Sequence, residues 1–158
     1  MIFKRGLVMK LALALSERAD LQKKIAELSE RLNNNAKVQE GEDPAEDPCE
    51  LMKELDSSLI KLENLIYRIN NTNSLTKSGD VTITQLIAKR DCLKERLRVM
   101  RNFLNTCSQS VSRYSKTEIR IRSTVKVSEL QKEVDAYAKQ LRETDEKIQE
   151  LNWTTELI

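Results

Sequence analysis

The chain has 158 residues, 33% of them charged and only 4% aromatic, with a net charge of +2 and no histidine. Without imidazole the Ser-His-Asp and Cys-His nucleophile systems are excluded, as are the carboxylate–histidine metal sites of helical bundles. So small a charge does not imply a nucleic-acid partner by itself.

The first residues, MIFKRGLVMKLALAL, imitate a secretion signal, with Lys4 and Arg5 ahead of an apolar run. Lys10 interrupts that run, and the leucines continue in helical register into a charged helix, which argues against a signal. Residues 1–8 read as an N-terminal extension of a single helical-bundle domain over 1–158. No stretch approaches the roughly 20 apolar residues of a membrane span.

Four long helices follow from heptad spacing. The first is expected over 7–33, with Leu7, Leu11, Ala14, Arg18, Leu21, Ile25, Leu28 and Leu32 on one seam and Asn33-Asn34-Asn35 as its stop. Glu40 to Glu50 is an acidic loop. Asp47-Pro48-Cys49-Glu50 is a helix start with Asp47 as N-cap, Pro48 where no N–H is needed, and Glu50 placed for a capping box. The second helix, over 48–73, carries Leu51, Leu55, Ser58, Leu62, Leu65 and Ile69, and Asn70 to Asn73 reads as its end.

Gly79-Asp80 marks a turn. The third helix, over 83–108, follows Ile83, Leu86, Arg90, Leu93, Leu97, Met100, Leu104 and Cys107. The fourth, over 127–151, follows Val127, Leu130, Val134, Tyr137, Leu141, Thr144, Ile148 and Leu151. Between the third and fourth, Ile119, Ile121 and Val125 alternate with Arg120, Arg122 and Thr124, the period of a half-buried strand. The expected architecture is mainly α: an antiparallel four-helix bundle with a small β element pairing about 36–40 with 114–125.

Four groups of residues invite a functional reading. Arg113, Tyr114, Lys116, Arg120, Arg122 and Lys126 form a basic strip that suits a polyanion or an interface. The acidic loop 40–50 is its natural counter-charge, within one chain or between two. Arg18 and Arg90 interrupt apolar seams and call for buried ion pairs, because an unpaired guanidinium is costly to bury. Met52, Leu59 and Ile66 run beside the second seam, and Ile87 beside Leu86. They exceed what one closed bundle must bury, and such surplus serves oligomers.

Chemistry is poorly supplied. Gly6, Gly41 and Gly79 stand alone, so neither a P-loop nor a dinucleotide fingerprint is present. Cys49, Cys92 and Cys107 are odd in number and lack CxxC spacing, which points to a reducing cytoplasm rather than to disulfides or zinc. Cys49 sits at a helix N-terminus, which lowers a thiol's pKa, but no base is at hand. No catalytic, metal or cofactor-binding residue is expected, and no cofactor.

Several segments resemble a small bacterial family of uncharacterised helical proteins, some labelled septicolysin. They are ADLQKKIAELSERLNNNAKVQEGEDPAEDP at Ala19 to Pro48, INNTN at Ile69 to Asn73, RYSKTEIR at Arg113 to Arg120, LQKEVD at Leu130 to Asp135 and NWTTEL at Asn152 to Leu157. The resemblance implies a cytoplasmic, mainly helical protein with no catalytic residues to carry over. Its label implies a haemolysin, which one tryptophan, one strand and no insertable apolar run do not serve. The expectation is therefore a non-enzymatic, self-associating helical interaction protein. The alternatives are nucleic-acid or other polyanion binding through 113–126, and a haemolysin-like toxin.

Overall fold

A computed structural model describes residues 9–109 and 122–158. Among these the fold is mainly helical: α1 (Leu11–Asn34), α2 (Pro48–Leu75), α3 (Ile83–Ser108) and α4 (Val127–Thr154), with strands β1 (Lys77–Ser78) and β2 (Val81–Thr82) between α2 and α3. The chain divides into two compact units. The first runs to Ile83 and takes in Glu150–Ile158; the second is Thr84–Gln149.

In the first unit α1 and α2 form an antiparallel hairpin. Every described position of the two predicted seams is buried or half-buried; Leu11, Ala14 and Leu28 of α1 and Leu51, Leu65 and Ile69 of α2 are nearly inaccessible. Each such leucine or isoleucine contributes about 1.5–3 kcal/mol by leaving water. Two hydroxyls share this buried face without cost in unmade hydrogen bonds. Ser58 donates to the Glu54 carbonyl and Thr72 to the Arg68 carbonyl, each at 2.8 Å.

The start of α2 is set as the sequence predicts, with one difference. Asp47 caps it by accepting the Cys49 N–H at 2.8 Å, and Pro48 opens the first turn. Glu50 does not complete a capping box. Its carboxylate pairs with Lys53 at 2.6 Å, a solvent-facing neighbour on the same helix. Nor does the asparagine run end the helix. α2 continues to Leu75 because Ile69 and Thr72 are buried, and burial of the last turns outweighs the local preference of Asn for a cap.

Among the described residues the sheet lies between α2 and α3. β1 and β2 pair antiparallel, Lys77 opposite Thr82 and Ser78 opposite Val81, across the Gly79-Asp80 turn. Gly79 has φ of +64° and is the left-handed residue that a two-residue hairpin needs at its first central position. Residues 36–40, expected as a strand, are loop and turn. Ala36 donates its N–H to the Asn33 carbonyl (3.3 Å) and Gln39 accepts from the Glu42 N–H (3.0 Å), while the Asn35 side chain before them donates to the Arg31 carbonyl at 2.9 Å and accepts from the Glu46 N–H at 3.0 Å. Of the predicted strand over 113–125, residues 113–121 lie outside the described residues, and 122–125 are loop with a bend at 124–125.

A short tail completes the first unit. Leu157 donates its N–H to the Met9 carbonyl (2.8 Å), and Leu11 donates to the Thr155 carbonyl (3.0 Å), a β-bridge around Lys10 and Glu156. Ile158 donates its N–H to the Thr72 hydroxyl (3.0 Å), and Arg68 Nε donates to the Ile158 carbonyl (3.0 Å). The Leu157 side chain is buried. Residues 155–158 thus tie the start of α1 to the end of α2.

In the second unit α3 and α4 run antiparallel. Arg90 faces Asp145 and, one and a half turns on, Arg96 lies over the Tyr137 ring. Leu93 and Leu97 of α3 and Val134, Thr144 and Ile148 of α4 are buried, all of them predicted seam positions. Thr144 satisfies its hydroxyl on the Gln140 carbonyl at 2.8 Å.

Candidate interaction surface

The features that suit recognition sit on the outer faces of α2 and α3. On α2, Met52, Leu59 and Ile66 lie one position past the buried seam residues Leu51, Ser58 and Leu65, hence about 100° round the helix. All three are exposed, as are Ile60 and Tyr67 on the same side; the five range from 37% to 69% accessible. The stripe from Met52 to Ile66 covers about 21 Å at 1.5 Å per residue. Ile87 of α3, grouped with them by sequence, is half-buried. On α3 Val99 and Phe103 are exposed apolar residues that lie off the heptad seam. They fall one position before the half-buried seam residues Met100 and Leu104, and their signal in the sequence is a second apolar file beside the first.

A network of charges crosses from α1 to α2. Arg31 grips Glu46 with two hydrogen bonds, through Nε at 3.0 Å and through Nη2, and reaches Glu54 at 3.8 Å. Lys24 pairs with Glu54 at 2.7 Å. The Arg31 hydrogen bonds hold the Glu46 carboxyl below the usual carboxylate range, and those of Lys24, then its charge, do the same for Glu54. The acidic loop thus delivers Glu46 to α1. Asp47, Glu50 and Lys53 flank Arg31 in an open basin. Among the described residues no group of three or more Cys, Asp or Glu is placed to hold a metal ion.

The two seam arginines have different fates. Arg90 lies at the seam's edge, a quarter exposed, with Asp91 at 2.8 Å and Asp145 at 3.9 Å. Arg18 is half-buried, and its Nε is a buried donor with no partner. The ion pair expected for it is absent among the described residues.

Of the basic strip, Arg113, Tyr114, Lys116 and Arg120 lie outside the described residues. Arg122 and Lys126 are exposed, and Lys126 pairs with Glu129 at 3.0 Å. Cys49 and Cys92 are exposed free thiols, and Cys107 is a half-buried one. Among the described residues no helix is long and apolar enough to cross a membrane.

Residues 18–157 match the model of a family described as a family of unknown function, DUF6847. The chain is also similar to a solved structure described as a functionally unknown conserved protein from Corynebacterium diphtheriae. The two share 38% identity over 96% of this chain and 99% of that one, with a TM-score of 0.86. Neither description carries the septicolysin label. No curated protein matches the chain.

Proposed function

The chain belongs to the DUF6847 family, whose function is unknown, and we propose that it is a non-enzymatic helical interaction protein that associates with itself. The observation that carries this is the exposed apolar stripe Met52, Leu59 and Ile66, widened by Ile60 and Tyr67. Monomers rarely leave such a face to water, and a second copy is its commonest cover. The absence of histidine and of any phosphate-binding glycine loop supports the non-enzymatic part of the reading. Three free cysteines are in keeping with a reducing cytoplasm.

Light scattering on a sizing column tests it. The wild-type chain is expected to run as an oligomer that persists in high salt, because apolar contacts are not screened. Leu59→Glu with Ile66→Glu is expected to run as a monomer with unchanged helix content by circular dichroism. A wild-type chain that stays monomeric up to about a hundred micromolar, ten- to a hundred-fold above the micromolar range of an ordinary weak association, overturns the proposal.

A further inference from the structure

The α2 stripe is one half of a more specific pattern. Taken with the residues between them, Met52, Asp56, Leu59, Glu63 and Ile66 are spaced four, three, four, three: a second heptad file, one position past the core seam. Asp56 and Glu63 are exposed and make no hydrogen bond or ion pair with described residues. The file carries two carboxylates and no cation.

α3 has a matching file one position before its own core seam: Gln85, Lys89, Cys92, Arg96, Val99 and Phe103, again spaced four and three. Here the charges are Lys89 and Arg96, with no acid. Neither makes an ion pair with described residues. Arg96 is held in place all the same, its guanidinium carbon 4.7 Å from the Tyr137 ring centroid. Stacking on an aromatic face leaves the guanidinium edge free to donate to a carboxylate.

The two acids are seven residues apart, and so are the two bases, about 10.5 Å along each helix. Whichever way two helices run, an acid meets a base at both positions while apolar residues fill the seam between. By contrast, two copies of the α2 file laid antiparallel bring Asp56 against Glu63. We propose that the α2 file of one copy docks on the α3 file of a second copy. The occupant of the apolar α2 face is thus the basic, apolar face of α3, and the charges fix which faces meet. This rests on the self-association proposed above and says which surfaces make it.

A charge-swap experiment by sedimentation at low and high salt tests it. Asp56→Lys with Glu63→Lys is expected to weaken association about tenfold, and Lys89→Glu with Arg96→Glu similarly, as for like charges brought together. Mixing the two variants is expected to restore association to near the wild-type level. Lys89→Glu, which leaves the Arg96–Tyr137 stack intact, is to be mixed separately with Asp56→Lys and with Glu63→Lys. Rescue by the first means that the helices run parallel, by the second antiparallel. An oligomer unmoved by the α3 changes, or one weakened by both sets but not restored by mixing, overturns the docking while leaving self-association standing. A wild-type monomer at every concentration overturns both.

Discussion

Two glutamates fasten the α1–α2 hairpin, and their titration sets a pH dependence. Arg31 and Lys24 hold Glu46 and Glu54 below the ordinary carboxylate range, so both bind a proton more weakly folded than unfolded. Their contribution is complete above the unfolded carboxylate pKa of about 4.3 and is lost as pH falls through the lower folded values. Thermal melts at pH 6 and below pH 4 are expected to differ more for the wild-type chain than for Glu46→Gln with Glu54→Gln. An equal acid shift in both would remove these residues from the account. Arg18 is the opposite case, a guanidinium with one buried N–H unmet. Its place in the seam is readable from spacing alone, but the lack of a partner is not, because any of several carboxylates lies within reach on paper.

At the scale of the element, the tail is the part that local sequence signals miss. Residues 155–158 have no periodicity, and their role comes from backbone bonds to residues more than eighty positions away. Leu157 is the buried anchor. Leu157→Ala is expected to cost about 2–4 kcal/mol in urea unfolding of the chain, the usual range for a buried leucine truncated to a cavity. A loss below about half a kilocalorie, the size of a neutral surface change, would show that the backbone bonds alone hold the tail.

The helices themselves were legible. All the described seam residues are buried or half-buried, since a four-three repeat leaves one face to bury whatever it packs against. Local signals do not settle which competing contact wins. The Asn70 to Asn73 run sits inside α2, where Ile69 and Thr72 are buried, and Glu50 pairs with Lys53 on its own helix instead of capping it. The β1–β2 pair turns on Gly79-Asp80, a two-residue hairpin signal that the flanking residues extend by only two pairs, while most of the alternating stretch 119–125 lies outside the described residues. The apolar face of α2 was read directly from sequence. Its counterpart on α3 was not, because its apolar members are only two and sit at one end of the file.

For the molecule as a whole, association and stability are linked. If copies must separate to unfold, a hundredfold rise in concentration adds about 2.7 kcal/mol to the folded state. For a chain of this length that raises the melting temperature by several degrees. Melts at 1 and 100 micromolar are expected to show that rise for the wild-type chain and none for Leu59→Glu with Ile66→Glu. Coincident wild-type melts would count against an obligatory oligomer.

The tail also orders events in time. A ribosome makes α1 and α2 early and residues 155–158 late, yet the backbone groups of Met9 and Leu11 and the hydroxyl of Thr72 wait for those late residues. While α3 and α4 are still being synthesised, those groups of the hairpin have not met their partners in 155–158. Residues 155–158 supply those partners, so the first unit, discontinuous in sequence, is complete only once the segment that forms the second has been made.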